Sequence, residues 1–336
     1  MTTWQSFHQQ QVTHNHDDCG DNWFAWLSHQ SLFSVTGADA ASFLHKQFSN
    51  EVERLPLAQL RRAAYCNAKG RMLASLLYWR DDSGIYLQFH HSLAASLIKR
   101  LKMFVLRDKV EFQALAEEQV LLGLSGPAVA QALSDWYPEL PAENQVISNA
   151  AGSLMRLADS AGAPRYQWLT HSELLQTAWA KLTQHLRYAP SSRWELSDIQ
   201  AGIAEVTATT QEHYVPQMIN FELIGGVNFK KGCYPGQEVV ARSQYLGKLK
   251  RRMFIAQLER SDSAEFPAGS EVFNAQEPDQ PCGELVAIQP VDSRHSLCLL
   301  QIRLIDQESN QLHLAAADGP GLSLVALPYE IADITA

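Results

Sequence analysis

The strongest constraint on this chain is an internal echo. Val35-Thr36-Gly37-Ala38-Asp39-Ala40-Ala41-Ser42-Phe43-Leu44 is answered 89 residues later by Leu124-Ser125-Gly126-Pro127-Ala128-Val129-Ala130-Gln131-Ala132-Leu133. Both run from an apolar strand through a hydroxyl residue and a glycine into a helix. A second echo sets a strand at 85–89 and a helix at 93–105 against a strand at 165–170 and a helix at 172–186. Leu93, Leu97, Ile98, Leu101, Phe104 and Val105 give the earlier helix one apolar face, and Leu175, Trp179, Leu182 and Leu186 do the same for the later one. A chain that repeats its apolar faces in this way predicts two related α+β halves packed about a pseudo-twofold axis. The cleft between two such halves is a natural ligand site.

Other local signals complete the outline. Thr36 reads as a helix cap with Asp39 near the capping-box position, and Ser172 reads as the cap of the later helix. The apolar segment Trp23 to Val35 holds one or two strands. Ala63 to Cys66 and Met72 to Trp79 are strands flanking the turn Asn67-Ala68-Lys69-Gly70. A short helix is expected from Trp194 to Ile203, followed by a patternless loop from Glu205 to Met218. Beyond Arg252 the texture changes to six short strands broken by turns, the pattern of a small β-barrel. The expected divisions are 1–115 and 116–245 for the two halves and 246–336 for the barrel.

Composition narrows the function. A length of 336 residues implies more than one core. A net charge of −9 argues against wholesale binding to nucleic acid or acidic lipid, although Lys99-Arg100-Leu101-Lys102 and Lys248-Leu249-Lys250-Arg251-Arg252 are local basic clusters. The basic face of the helix at 93–105 reads as solvated. No apolar run reaches ~18 residues, and the opening residues lack the apolar core of a signal peptide. Five widely spaced cysteines without a CxxC pair fit a reducing cytoplasm better than a disulfide framework. Residues 1–20 read as unstructured. His14-Asn15-His16-Asp17-Asp18-Cys19 has metal-binding residue types but no tetrahedral spacing, so no metal site is expected. Nucleotide loops of the GxxxxGK[ST] and GxGxxG types are absent, as are G-x-S-x-G and HExxH.

The segment that concentrates chemistry is Lys230-Lys231-Gly232-Cys233-Tyr234-Pro235-Gly236-Gln237-Glu238-Val239-Val240-Ala241-Arg242. Tyr234-Pro235-Gly236-Gln237 predicts a type II turn, with Pro fixing φ and Gly accepting a positive one. Cys233 lies at its lip among cations, which favour a thiolate. Three readings are open for it: a core cysteine, a nucleophile with a base such as His213, or a redox or cluster-related thiol. Asn67 to Arg71 is either an exposed hairpin turn or an anion contact. Trp194 is either core or a stacking wall.

Lys231-Gly232-Cys233-Tyr234-Pro235-Gly236-Gln237-Glu238 resembles the K-G-C-Y-x-G-Q-E signature of the YgfZ family of folate-binding proteins, relatives of the aminomethyltransferases (T-proteins) of the glycine cleavage system. The resemblance extends to Thr36 to Asp39, Cys66 to Arg71, Lys109-Val110, Trp194 and Pro328-Tyr329. It implies a GcvT-like, ring-like arrangement of three domains around a tetrahydrofolate site. It also implies a monomeric cytoplasmic accessory factor for iron–sulfur proteins, including enzymes that thiomethylate tRNA, with direct tRNA contact at most weak. Cys233 is then the functional thiol and Arg242 part of the signature. Trp194 falls on a proposed folate-contacting tryptophan, and Gln30 replaces a second one. The aminomethyltransferases carry an acidic pair where this chain has Ala74 and Ser75. Neither can act as a carboxylate base, so aminomethyl transfer is not expected.

Overall fold

The computed structural model describes residues 3–12, 20–247, 249–259 and 265–331. Helix α1 (Thr3–Gln11) and strand β1 (Trp23–Trp26) precede the first half. That half runs β2 (Gln30–Thr36), α2 (Ala40–Gln47), β3 (Leu60–Cys66), β4 (Met72–Arg80), β5 (Ile85–His90), α3 (Ala94–Met103) and β6 (Glu111–Ala114). The second half repeats the order with β7 (Gln119–Ser125), α4 (Val129–Leu133), β8 (Val146–Asn149), β9 (Gly152–Ser160), β10 (Ala163–His171), α5 (Ser172–His185) and β11 (Arg187–Tyr188). The sheets are ordered β3-β4-β5-β2-β6 and β8-β9-β10-β7-β1-β11.

The halves correspond strand for strand except at one edge. The place beside β2 taken by β6 is taken beside β7 by β1, from the start of the chain, and both pairings are antiparallel. Two glycines enforce the match. Gly37 has φ +108°, and a Cβ there would lie 2.1 Å from the carbonyl oxygen of Lys109, just before β6. Gly126 has φ +103°, and its Cβ would lie 2.3 Å from the carbonyl oxygen of Asp21, just before β1. Only glycine tolerates both the left-handed backbone and the approach. Residues 1–115 therefore do not form one sheet, because β1 crosses into the other half.

Two local expectations are corrected. Residues 3–11 are an ordered helix that buries Trp4 against Phe7, Trp26 and Trp179, with centroids 5.8–6.0 Å apart. Neither expected hydroxyl is a helix cap. Asp39 precedes α2, and its carboxylate accepts the Lys109 N–H (2.8 Å) instead of a helix amide. His171 precedes α5, and its ring accepts the Glu173 N–H. The His14–Cys19 cluster and Lys248 lie outside the described residues.

The two sheets face each other across a shared apolar layer that includes Trp23, Leu60, Leu77, Trp79, Met155 and Trp194. Helix α6 (Ser191–Gln200) closes that layer, and α7 (Gln237–Tyr245) follows the long loop. The remaining strands are β12 (Arg251–Leu258), β13 (Glu271–Asn274), β14 (Pro281–Pro290), β15 (Ser296–Arg303), β16 (Leu312–Leu314) and β17 (Gly321–Val325). They form a closed barrel ordered β12-β15-β14-β13-β16-β17, which leaves no strand edge unpaired. Met253, Ile255, Val286 and Leu299 of the barrel join the core of the first half. After β17 the chain returns to the halves, and the Tyr329 hydroxyl donates to the Gly202 carbonyl (2.7 Å). No helix among the described residues is long and apolar enough to cross a membrane.

Candidate functional site

An inner cavity of about 40 Å³ lies between the halves. Gln30 and Trp194, the two positions carried over from the resemblance, both line it, together with Ser75, Gln88, Gln167 and Glu205. Its polar groups arise from strand alternation: residues two apart face the same way, so β2, β4, β5 and β10 each send one polar side chain inward. The Gln30 amide donates to both carboxylate oxygens of Glu205, each at 3.0 Å, and its own carbonyl accepts from Gln88 at 3.3 Å. The Ser75 hydroxyl accepts the Val206 N–H at 2.9 Å, and Ala74 is fully buried in the core. No carboxylate enters from either position.

The wall behind the cavity is rigid. Trp194 is 2% exposed, with Gly123 directly beneath its ring. The Arg165 guanidinium stands 5.1 Å from the ring centroid and donates to Asp198 (2.7 Å) and Ser197 (3.0 Å). Burial pushes the Glu205 carboxyl up to about 8, with Asp198 and Glu195 adding to the rise and Gln30 and Arg62 opposing it. The Gln88 and Gln167 carbonyl oxygens are buried with no hydrogen-bond partner in the protein. The cavity is thus acceptor-rich and suits a ligand edge made of N–H groups.

Arg62 also lines an outer cleft of about 600 Å³, the size of a cofactor site. Arg61 and Lys230 are its other cations, and Phe229 and Tyr245 form an aromatic side. The sequence offered no signal for Glu205 or Arg62. Glu205 opens a patternless loop and Arg62 is half of an Arg-Arg pair on a strand, and only the meeting of the halves makes them neighbours.

The signature segment builds a second place, on the first half. Gln237 N–H donates to the Tyr234 carbonyl (3.2 Å) and Gly236 has φ +80°, the predicted type II turn. Gly236 wedges against the β3–β4 turn: a Cβ there would lie 2.4 Å from the Asn67 carbonyl oxygen and 2.6 Å from the Gly70 Cα. That fixes the role of Asn67 to Gly70 as the seat of this turn. Arg71 reaches the His213 carbonyl, and the His213 ring is engaged by Glu284 at 3.2 Å.

Lys231 is buried, and its ammonium donates to the carbonyls of His45 and Phe48 (2.7 Å to Phe48) at the end of α2. There it meets the negative pole of the helix. Burial pulls its pKa down to about 8, and Glu51 and Cys233 oppose the fall. Its ammonium lies 5.0 Å from the centroid of the Tyr234 ring, which is itself buried. Arg242 pairs with Glu238 at 3.5 Å on the exposed face of α7. Of the cations expected to act on the thiol, Lys231 anchors the loop to α2 while still coupling electrostatically to Cys233, Lys230 lines the outer cleft, and Arg242 answers Glu238. Gly232 lies near the His45 ring, and the side chain after it, Cys233, is exposed. Cys233 lines neither cavity, so the structure separates the thiol from the Gln30–Trp194 pair.

No protein-family model matches the chain. Among solved structures, the glycine cleavage system aminomethyltransferase T from Bartonella henselae aligns over 92% of this chain and 86% of its own, with a TM-score of 0.75 and 17% identity. A heterotetrameric sarcosine oxidase from a Corynebacterium species aligns over 50% of this chain and 86% of its own, with a TM-score of 0.36 and 15% identity. The chain therefore shares the fold of the Bartonella aminomethyltransferase over nearly its whole length.

Proposed function

We propose that this protein is a tetrahydrofolate-binding accessory factor of the YgfZ family, which supports iron–sulfur proteins and through them tRNA thiomethylation, and that it does not transfer aminomethyl groups. The observation that carries the folate reading is the acceptor-rich cavity between the halves. The amino-pyrimidine edge of a reduced pteridine presents adjacent N–H groups, which would pair with both oxygens of Glu205 by drawing its carboxyl, raised by burial to about 8, into the ionised form. Such an edge would replace Gln30 on Glu205, exchanging one set of N–H···O bonds for another. Its remaining N–H groups would satisfy Gln88 and Gln167, each a buried acceptor whose lack of a partner costs about 1–3 kcal/mol. The inner cavity is close to the space of a single water, so ring entry requires the side chains at Arg62 and Gln30 to move aside. The outer cleft would take the anionic tail against Arg61 and Lys230.

The iron–sulfur role rests on the signature and on the exposure of Cys233. Titration of purified protein with tetrahydrofolate, read by tryptophan fluorescence, should saturate, and Glu205→Gln should weaken it. Absence of binding would remove the folate reading. In cells, Cys233→Ser should lower tRNA thiomethylation while leaving the fold intact, and normal modification in that variant would remove the accessory role.

One observation favours a second reading, a folate-dependent one-carbon enzyme. Glu205 is a cavity carboxyl held in the range suited to general acid–base work. Turnover of a methylene- or formyl-folate by the purified protein, lost in Glu205→Gln, would decide for it.

A further inference from the structure

We propose that the end of α3 and the turn after it dock this protein on an anionic lipid surface. Helix α3 buries Leu97, Ile98 and Leu101 and ends at Met103. Backbone bonds hold the turn that follows: Phe104 N–H donates to the Leu101 carbonyl (3.0 Å), Val105 N–H to that of Lys102 (3.2 Å) and Leu106 N–H to that of Phe104 (3.0 Å). Val105 packs on the core of the first half. Its neighbours Met103, Phe104 and Leu106 stand out into solvent, 67%, 47% and 87% exposed. Among the described residues no other stretch of four holds three exposed large apolar side chains. Single exposed apolar residues are ordinary, whereas a fixed group of them marks an interaction surface.

Cations surround this apolar tip. Lys99, Arg100 and Lys102 precede it and Arg107 and Lys109 follow it, against one carboxylate in the same stretch, Asp108. Among the described residues no carboxylate lies within pairing distance of Lys99, Lys102 or Arg107. Glu212 shares a cleft with Lys99 and Arg100 without pairing with either. The negative pole of α3 accounts for Arg100 and Lys102 in its last turn. It accounts neither for Arg107 and Lys109, which lie beyond the helix, nor for the apolar tip. The basic face that the sequence reads as solvated thus gains a second role.

Beside the tip, Phe33, Ala94 and Ile98 line an apolar groove of about 590 Å³, whose charged lining residues, Lys99 and Lys102, are both basic. An acidic peptide could fill that groove, but Phe104 and Leu106 do not line it and would stay in water. A lipid surface takes both features: its acyl region receives the tip while its phosphates meet the lysines. The net charge of −9 prevents adhesion by overall charge, yet at physiological salt a charge reaches only about 8 Å, so the local cluster decides. None of these residues lines the inner cavity or the outer cleft, so the inference does not rest on the folate reading.

The test is flotation of the full-length protein with vesicles. At ~20 mM salt it should bind vesicles of phosphatidylcholine containing about one-third phosphatidylglycerol, and fail to bind them at ~500 mM salt or to bind phosphatidylcholine alone. Leu106→Asp should weaken binding by about tenfold or more. Lys99→Gln and Lys102→Gln should each weaken it by about fivefold. Ile305, just after β15, is 85% exposed, so Ile305→Asp adds the same charge elsewhere and should bind like the parent. Both aspartate variants alter exposed side chains and should melt with the parent. The proposal is overturned if anionic vesicles do not bind at low salt, which would leave the patch to a protein partner. It is equally overturned if Leu106→Asp binds as tightly as the parent, or if Ile305→Asp is weakened as much, which would reduce the effect to net charge.

Discussion

Gly236 and Gly225 allow the seating of the signature turn to be measured against an internal control. Both have left-handed backbones, with φ +80° and +76°. Alanine at either pays the same conformational cost, about 1–2 kcal/mol. Only Gly236 faces a neighbour: its Cβ would lie 2.4 Å from the Asn67 oxygen and 2.7 Å from the Gly70 nitrogen, whereas Gly225 has nothing within 4 Å. These are backbone atoms of a hairpin turn, closed by Asn67 N–H to the Arg71 carbonyl (2.9 Å), so they cannot rotate away. Relief requires the two turns to part by close to an ångström, an overpacking cost of about 1–3 kcal/mol. Gly236→Ala should therefore be less stable than Gly225→Ala by about that amount. Urea denaturation of the two variants reads the difference as a shift in midpoint at constant slope. Equal midpoints would refute the claim that the β3–β4 turn seats the Cys233 loop.

Two further predictions follow from the inner cavity. The Glu205 carboxyl stands at about 8 in the folded protein against an ordinary 4.5, so between those values the unfolded chain releases a proton that the folded one retains. The parent should therefore lose stability as pH rises through that window, by at most about 5 kcal/mol, and Glu205→Gln should flatten the loss; parallel pH profiles in thermal melts would contradict it. A Cβ at Gly123 would lie 2.2 Å from the Trp194 ring, so Gly123→Ala should displace the indole and weaken tetrahydrofolate binding without replacing any lining residue. Unchanged affinity in fluorescence titration would exclude Trp194 from ligand contact.

How legible the fold was depended on whether the signal was local. The two glycine-to-helix turns at Gly37 and Gly126 carry a local sequence pattern, and it revealed the duplication, although the Lys109 and Asp21 carbonyls that demand glycine there are distant in sequence. The six barrel strands and the type II turn at Tyr234–Gln237 were legible for the same reason. Helix caps were misread because Thr36 and Ser172 have the right chemistry but stand on the wrong side of Asp39 and His171. Helix α1 was not expected at all, because its order depends on Trp4 packing against Trp26 and Trp179 far along the chain. The inner site was half visible. Gln30 and Trp194 came from a resemblance, while Glu205, Arg62 and Gln167 come from distant parts of the chain and meet only through the packing of the two sheets. The separation of Cys233 from that cavity was equally invisible, since proximity in sequence says nothing about which face of a half a loop occupies.

The exchange of β1 for β6 has a consequence for how this chain is made. Trp23 to Trp26 leave the ribosome early, yet their partners are at 122–125 and 187–188. The strand must wait for 122 − 26 = 96 further residues before its first partner begins to appear, and for 187 − 26 = 161 before its second does, at about 5–20 residues per second. During that interval four residues, three of them aromatic, carry an unpaired edge, a template for pairing with another chain. A nascent chain halted after the first half would contain a finished sheet and an orphan strand belonging to a half not yet made. Fragments 1–115 and 116–336, expressed separately, should associate through that strand, because neither holds a complete set of edges alone.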